Sequence, residues 1–156
     1  MSFAAAKEHL KKYGLESRIM EFDVSSATVS EAAKAINCKE EEIVKTLSFI
    51  VNGRPILIAA SGDSKIDNAK FKAEFQTKAK MIPFDEVEKM TGHAAGGVCP
   101  FGINEEAEVY LDISLKQFAT VYPACGSSNS AVKLTVNELE TASCYKKWVD
   151  VCKKIQ

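Results

Sequence analysis

Histidine is scarce in this chain: only His9 and His93 occur among 156 residues. Five cysteines are present, at 38, 99, 125, 144 and 152, but no two form a C-x-x-C pair. A zinc site draws on paired Cys or His ligands at short spacing, so neither a metal nor a cofactor is expected. The odd thiol count reads as free cysteines in a reducing compartment. No run of 18 apolar residues exists, which excludes a membrane-spanning helix. Residues 1–8 (M-S-F-A-A-A-K-E) enter a helical pattern without a secretory apolar core, so a cytoplasmic protein without membrane contact is expected. An excess of either charge is missing too. Twenty basic and 21 acidic residues give a net charge of -1, so any nucleic-acid contact has to come from a local patch.

What is present is an ordinary globular balance, 46% hydrophobic and 26% charged. At this length one domain over 1–156 with a real core is expected. Apolar spacing predicts a helix over 2–13 ended by Gly14. Thr28 followed by Glu31 is a capping box for a helix whose apolar face is Val29, Ala32, Ala33 and Ile36. Strands are predicted over 43–51 and 55–60, joined by Asn52-Gly53, a strong hairpin signal. Further strands are expected at 17–23, 78–82, 107–113, 120–122 and 131–134. Helices are expected at 67–75, 83–90, and after Thr135, where Glu138 completes a second capping box. The tail 145–155, with Trp148, reads as an amphipathic helix. The fold class is therefore mixed α/β, with a largely hairpin-connected sheet and helices interspersed.

Two features point to chemistry. The strand I-V-K-T-L-S-F-I-V places Lys45 on one face with Ile43, Leu47, Phe49 and Val51. A lysine there is costly unless its ammonium reaches a cleft or an anion; the structural reading is snorkelling at a sheet edge. The second feature is T-G-H-A-A-G-G-V-C-P-F-G at 91–102, which holds four of the eight glycines. Glycine lets another backbone or a ligand approach closely, and proline presets the loop's shape, so its backbone groups can face a substrate. The structural alternative is a tight connection. A small-residue loop, P-A-C-G-S-S-N-S at 123–130, follows. Cys99 and Cys125 both sit in these loops, which leaves a thiol nucleophile open, and His93 is either a loop support or a general base.

V-K-T-L-S-F at 44–49, the glycine loop at 91–102 and A-C-G-S-S-N-S-A-V-K-L-T at 124–135 occur in that order. On these three blocks the chain resembles, over nearly its whole length, the YbaK/prolyl-tRNA-synthetase-associated domain family of free-standing trans-editing deacylases. The resemblance implies a mixed, partly barrel-shaped sheet surrounded by helices. It also implies hydrolysis of the ester between a wrong small amino acid and tRNA, usually tRNA-Pro, without metal. It makes Lys45 the holder of the 3'-terminal nucleotide. Gly96, Gly97 and Val98 become the backbone groups at the reacting ester, with Gly97 and Val98 amides as oxyanion donors. Thr46, Pro100, Gly102, Cys125, Gly126, Ser127 and Ser128 become substrate-binding positions. The second loop departs from the alanine- and cysteine-specific members, leaving the edited amino acid open. Expected partners are the acceptor end of mischarged tRNA and prolyl-tRNA synthetase. The alternative is a module of the same fold that binds aminoacyl-tRNA or a nucleotide without hydrolysis.

Overall fold

A computed structural model describes residues 2–155. In chain order the elements are α1 (Ser2–Lys11), β1 (Ile19–Glu21), α2 (Val29–Ile36), β2 (Ile43–Val51) and β3 (Arg54–Ser61). There follow β4 (Ser64–Ile66), α3 (Asn68–Phe75), α4 (Val87–Thr91), β5 (Glu108–Asp112) and β6 (Thr120–Pro123). The chain closes with β7 (Ser130–Val132), β8 (Leu134–Thr135), α5 (Val136–Ser143), β9 (Trp148–Val149) and β10 (Cys152–Lys154).

Six strands form one curled sheet in the order β8-β6-β2-β3-β5-β9, and β1-β7 and β10-β4 form two-stranded ribbons. The β2–β3 hairpin is its spine. Pairing runs without a break from Val51↔Arg54 to Val44↔Ser61 across the Asn52-Gly53 turn. Leu57, Ile58, Ala59 and Ala60 in β3 are wholly buried, as the nearly continuous apolar run requires for a strand covered on both faces. Val44, Leu57 and Ala59 pack on one side with Ala6 and Leu10 of α1, Phe101 and Leu139. Phe49, Ile56, Ile58 and Ala60 pack on the other with Phe71, Val149 and Val151.

The local signals hold. Thr28 and Thr135 both make their capping boxes, with Glu31 and Glu138. Each such cap contributes roughly 1 kcal/mol by satisfying orphan N–H groups at a helix start.

The long-range expectations change in three places. The sheet is not largely hairpin-connected, because β2–β6, β3–β5 and β5–β9 pair in parallel. Residues 78–82 form no strand, only a bridge between Met81 and Phe49. The tail is not a helix. Cys144, at φ 53, ends α5, after which Trp148 and Val149 align with Leu111 and Asp112 of β5. The Asp112 carboxylate then accepts the Val151 N–H at 2.9 Å. An available strand edge, a buried acceptor and β-branched Val149 and Val151 outweigh a short helical periodicity.

Leu57→Ala should keep the fold but lower unfolding free energy by about 2–5 kcal/mol, the usual cost of a void at a fully buried leucine. Urea titration measures this. A loss below 1 kcal/mol would mean that β3 is not the packed centre of the sheet.

Candidate active site

The alternation of β2 determines which of its groups stay free. Val51↔Arg54 flanks a two-residue turn, so that pair and every second one down to Lys45↔Ala60 exchange hydrogen bonds across the hairpin. The even-numbered residues turn their backbone groups to the other edge. There the Ile50 N–H donates to Lys80 O at 2.9 Å, and Ser48 O accepts the Ile82 N–H at 3.1 Å. At the far end Val44 aligns with Pro123 of β6. Between these two seams no strand among the described residues runs beside Thr46. A cavity of about 310 Å³ opens at this gap.

Lys45 and Thr46 line the cavity, together with Gly96 and Val98 of the glycine loop. Among the described residues the Lys45 ammonium makes no hydrogen bond or ion pair. Partial burial lowers its pKa from the ordinary lysine value, against a weaker pull upward from Cys152 and Asp63. The Thr46 hydroxyl is buried and has no partner. A polar group so placed costs about 1–3 kcal/mol unless something else satisfies it. The cavity is polar at these residues and apolar at Val29, Ala32 and Ile43.

The glycine loop reaches the cavity because its backbone can press on the second loop. A β-carbon on Gly97 would lie 2.7 Å from the Ser127 nitrogen, so only glycine fits that approach. Gly96 adopts φ +92 beside Ala27 and Ser128. The Gly97 N–H donates to Ala94 O at 3.0 Å, which corrects its expected part as an oxyanion donor. The Gly96 and Val98 N–H groups have no such partner among the described residues.

His93 is fully buried, and its Nε2 lies 2.6 Å from Phe101 O. That contact requires the proton on Nε2, and burial pushes the pKa down, so the neutral ring braces the loop from behind. It does not line the cavity and is not positioned as a base. Cys99 and Cys125 are also fully buried, and desolvation raises both thiols, Cys125 to about 12. Neither thiol is poised to attack a substrate in the cavity.

Several expected binding positions lie elsewhere. Pro100 borders a separate surface hollow with His9 and Ile103. Gly102 backs onto Ala5 and Gly126 onto Ser2 and Phe3, both against α1. The Ser127 hydroxyl is 2.6 Å from that of Ser130, and Ser128 O accepts the Ser26 N–H at 2.7 Å. These two serines tie the loop together, while Ala124, Ser130 and Ala131 present the wall. The sequence reading missed Ser26, Ala27 and Tyr122, which complete it. The capping box marked the start of α2, but nothing local shows that its approach segment crosses the mouth of β2.

A family profile described as the aminoacyl-tRNA editing domain matches residues 23–142, which includes every lining residue named above. The chain belongs to that family. The editing domain is 50% identical over 154 residues to the uncharacterized protein YwhH of Bacillus subtilis (strain 168), covering 98% of each. It is 30% identical over 98 residues to a proline–tRNA ligase of Bacillus licheniformis, covering 61% of this chain but only 17% of the ligase. Over 97% of both chains it superposes, with a TM-score of 0.87 and 27% identity, on a crystal structure described as "a putative trans-editing enzyme for prolyl tRNA synthetase". The fold and the deacylase family anticipated from the three motif blocks are thereby shown. Family and neighbours together indicate an aminoacyl-tRNA deacylase acting on mischarged tRNA.

Burial disfavours the charged form of Lys45, so Lys45→Met should raise stability at neutral pH while activity falls. The sign follows from the lowered pKa. The cost is present wherever the folded lysine is charged, and it fades as pH rises toward the ordinary value of 10.5. Thermal melts from pH 7 to 10.5 should show the gap between variant and wild type narrowing. A variant less stable at every pH would contradict the assignment. Gly97→Ala should separate the two loops, with a stability loss of about 1–3 kcal/mol and loss of activity. A wild-type melt together with unchanged kinetics would refute the close approach.

Proposed function

We propose that this editing domain acts in trans and hydrolyses the ester linking a mis-attached small amino acid to tRNA-Pro. The observation that carries the reading is that Lys45, Gly96 and Val98 line one small cavity, while the Lys45 ammonium and the Gly96 and Val98 N–H groups have no partner among the described residues. The 27% identity to a trans-editing structure over nearly the whole chain, and the ligase segment matched by this chain, support it.

The chemistry follows from what lines the cavity. Its polar side chains are serine, threonine, tyrosine and lysine, with no carboxylate, imidazole or thiol among them. The reading therefore assigns attack to a positioned water. The attacking oxygen bonds to the ester carbonyl carbon, and negative charge develops on the carbonyl oxygen. The Gly96 and Val98 amides are the donors for that oxyanion, worth about 10²- to 10³-fold for each well-placed donor. The carbon–oxygen bond to the terminal ribose then breaks, and the ribose oxygen leaves with a proton taken from the attacking group. Lys45 supplies a fixed positive charge that holds the 3'-terminal nucleotide as a point-charge anchor. An ester already has a modest barrier, so positioning and electrostatics can supply the rate.

The experiment is a deacylation panel: tRNA-Pro charged with alanine, cysteine, serine, 2-aminobutyrate or proline, offered to wild type and to Lys45→Ala. Release of one small non-cognate residue, with prolyl-tRNA spared, is the expected result. Lys45→Ala should lower kcat/KM by roughly 10²-fold or more. Binding of each charged tRNA without release from any would point instead to a non-catalytic aminoacyl-tRNA-binding module.

A further inference from the structure

The β4–β10 ribbon carries a charge arrangement that the fold does not need. Lys65 and Lys153 are directly opposite cross-strand partners, and both are exposed. Like charges so placed destabilise a strand pair. Neither lysine makes an ion pair or a side-chain hydrogen bond among the described residues, although the Asp67 carboxyl is held low first by the Lys70 N–H and then in part by the charge of Lys153. Asp67 accepts the Lys70 N–H at 3.1 Å as the cap of α3, Asp150 pairs with the Lys70 ammonium at 3.1 Å, and Asp63 accepts from Ser61. The opposite faces of these strands provide a reason to hold the ribbon in place, since Cys152 is buried and Ile66 packs on the Phe71 cluster. They give no reason for two lysines to face each other outside.

The ribbon is also close to the cavity. Lys45 pairs with Ala60, and Lys65 follows Ala60 by five residues, at most about 17 Å of extended chain. Cys152 and Asp63 are the groups whose charges act on Lys45, which places the ribbon at its side of the sheet. With a net charge of only -1, the chain must concentrate positive charge wherever it meets a polyanion.

We propose that Lys65 and Lys153 form a phosphate-binding face for the acceptor-stem backbone of the tRNA whose 3' end enters the cavity. This rests on the function proposed above. The repulsion between Lys65 and Lys153 is relieved when phosphates lie across the pair. Contact of this kind positions the duplex without reading its bases.

The test uses an uncharged acceptor-stem minihelix of tRNA-Pro, so it does not depend on hydrolysis. Its affinity for the wild-type chain is measured by fluorescence anisotropy across a series of salt concentrations. The Lys65→Gln/Lys153→Gln variant should bind several-fold more weakly, and the slope of log affinity against log salt should fall by about 2, one for each lost phosphate contact. Lys11→Gln/Lys12→Gln, which removes the same charge from the end of α1, should leave the slope unchanged. Lys153→Glu should weaken minihelix binding more than Lys153→Gln, because it sets a negative charge where the phosphates would lie. An unchanged slope in the glutamine variant, or an equal drop in the α1 control, overturns the proposal. A reduced slope alongside no release from any charged tRNA would overturn the deacylase reading and leave the ribbon assignment standing.

Discussion

The antiparallel ladder between β2 and β3 is the constraint on which the site depends. Its two-residue turn sets the register, and the register decides which β2 residues give their backbone groups to β3. Residues of the other parity look outward, where β6 seals one end and residues 80–82 the other. The gap left at Thr46 is where the cavity forms. A slip of one residue would turn Lys45 to the opposite face and put an apolar neighbour in its place.

Around that gap the fold uses backbone more than side chains. The glycine loop and the 124–130 loop meet main chain to main chain at Gly97 and Ser127, and α1 backs both through Ala5 and Ser2. The Ser2 hydroxyl donates to Gly126 O at 2.6 Å. Buried His93 holds the glycine loop from inside through Phe101 O. Such a frame leaves the amides of Gly96 and Val98 at fixed positions, and that preorganisation is what the proposed oxyanion stabilisation requires. It also explains why the titratable groups nearest the loop are buried and neutral instead of reactive.

Charge follows the same economy. A chain of net charge -1 has no general attraction for RNA, so its unpaired cations matter by where they stand. Lys45 stands partly desolvated at the cavity, and the β4–β10 lysines stand exposed on the ribbon next to it. Five other basic side chains, among them Arg18 with Glu138 and Lys147 with Glu74, are paired on the spot.

Features governed by neighbours in the chain were legible in the sequence. The two capping boxes, the Asn52-Gly53 hairpin, the β2 boundaries and the misfit of Lys45 in an apolar strand all depend on residues within a few positions of each other. The motif blocks around Lys45 and Gly96 likewise identified the family. What depended on distant partners was not legible. The tail became β9 and β10 because β5 and β4 offered edges, and a periodicity of a few residues cannot reveal an edge supplied from elsewhere. Gly97 lost its amide to Ala94, Cys125 and Gly126 turned inward, and Ser26, Ala27 and Tyr122 joined the wall. By itself the sequence determined the capped helices, the β2–β3 hairpin, the family and the misfit of Lys45 in an apolar strand. Tertiary structure alone decided which backbone groups remain unpaired around that lysine, because hydrogen bonds between distant segments consume the others.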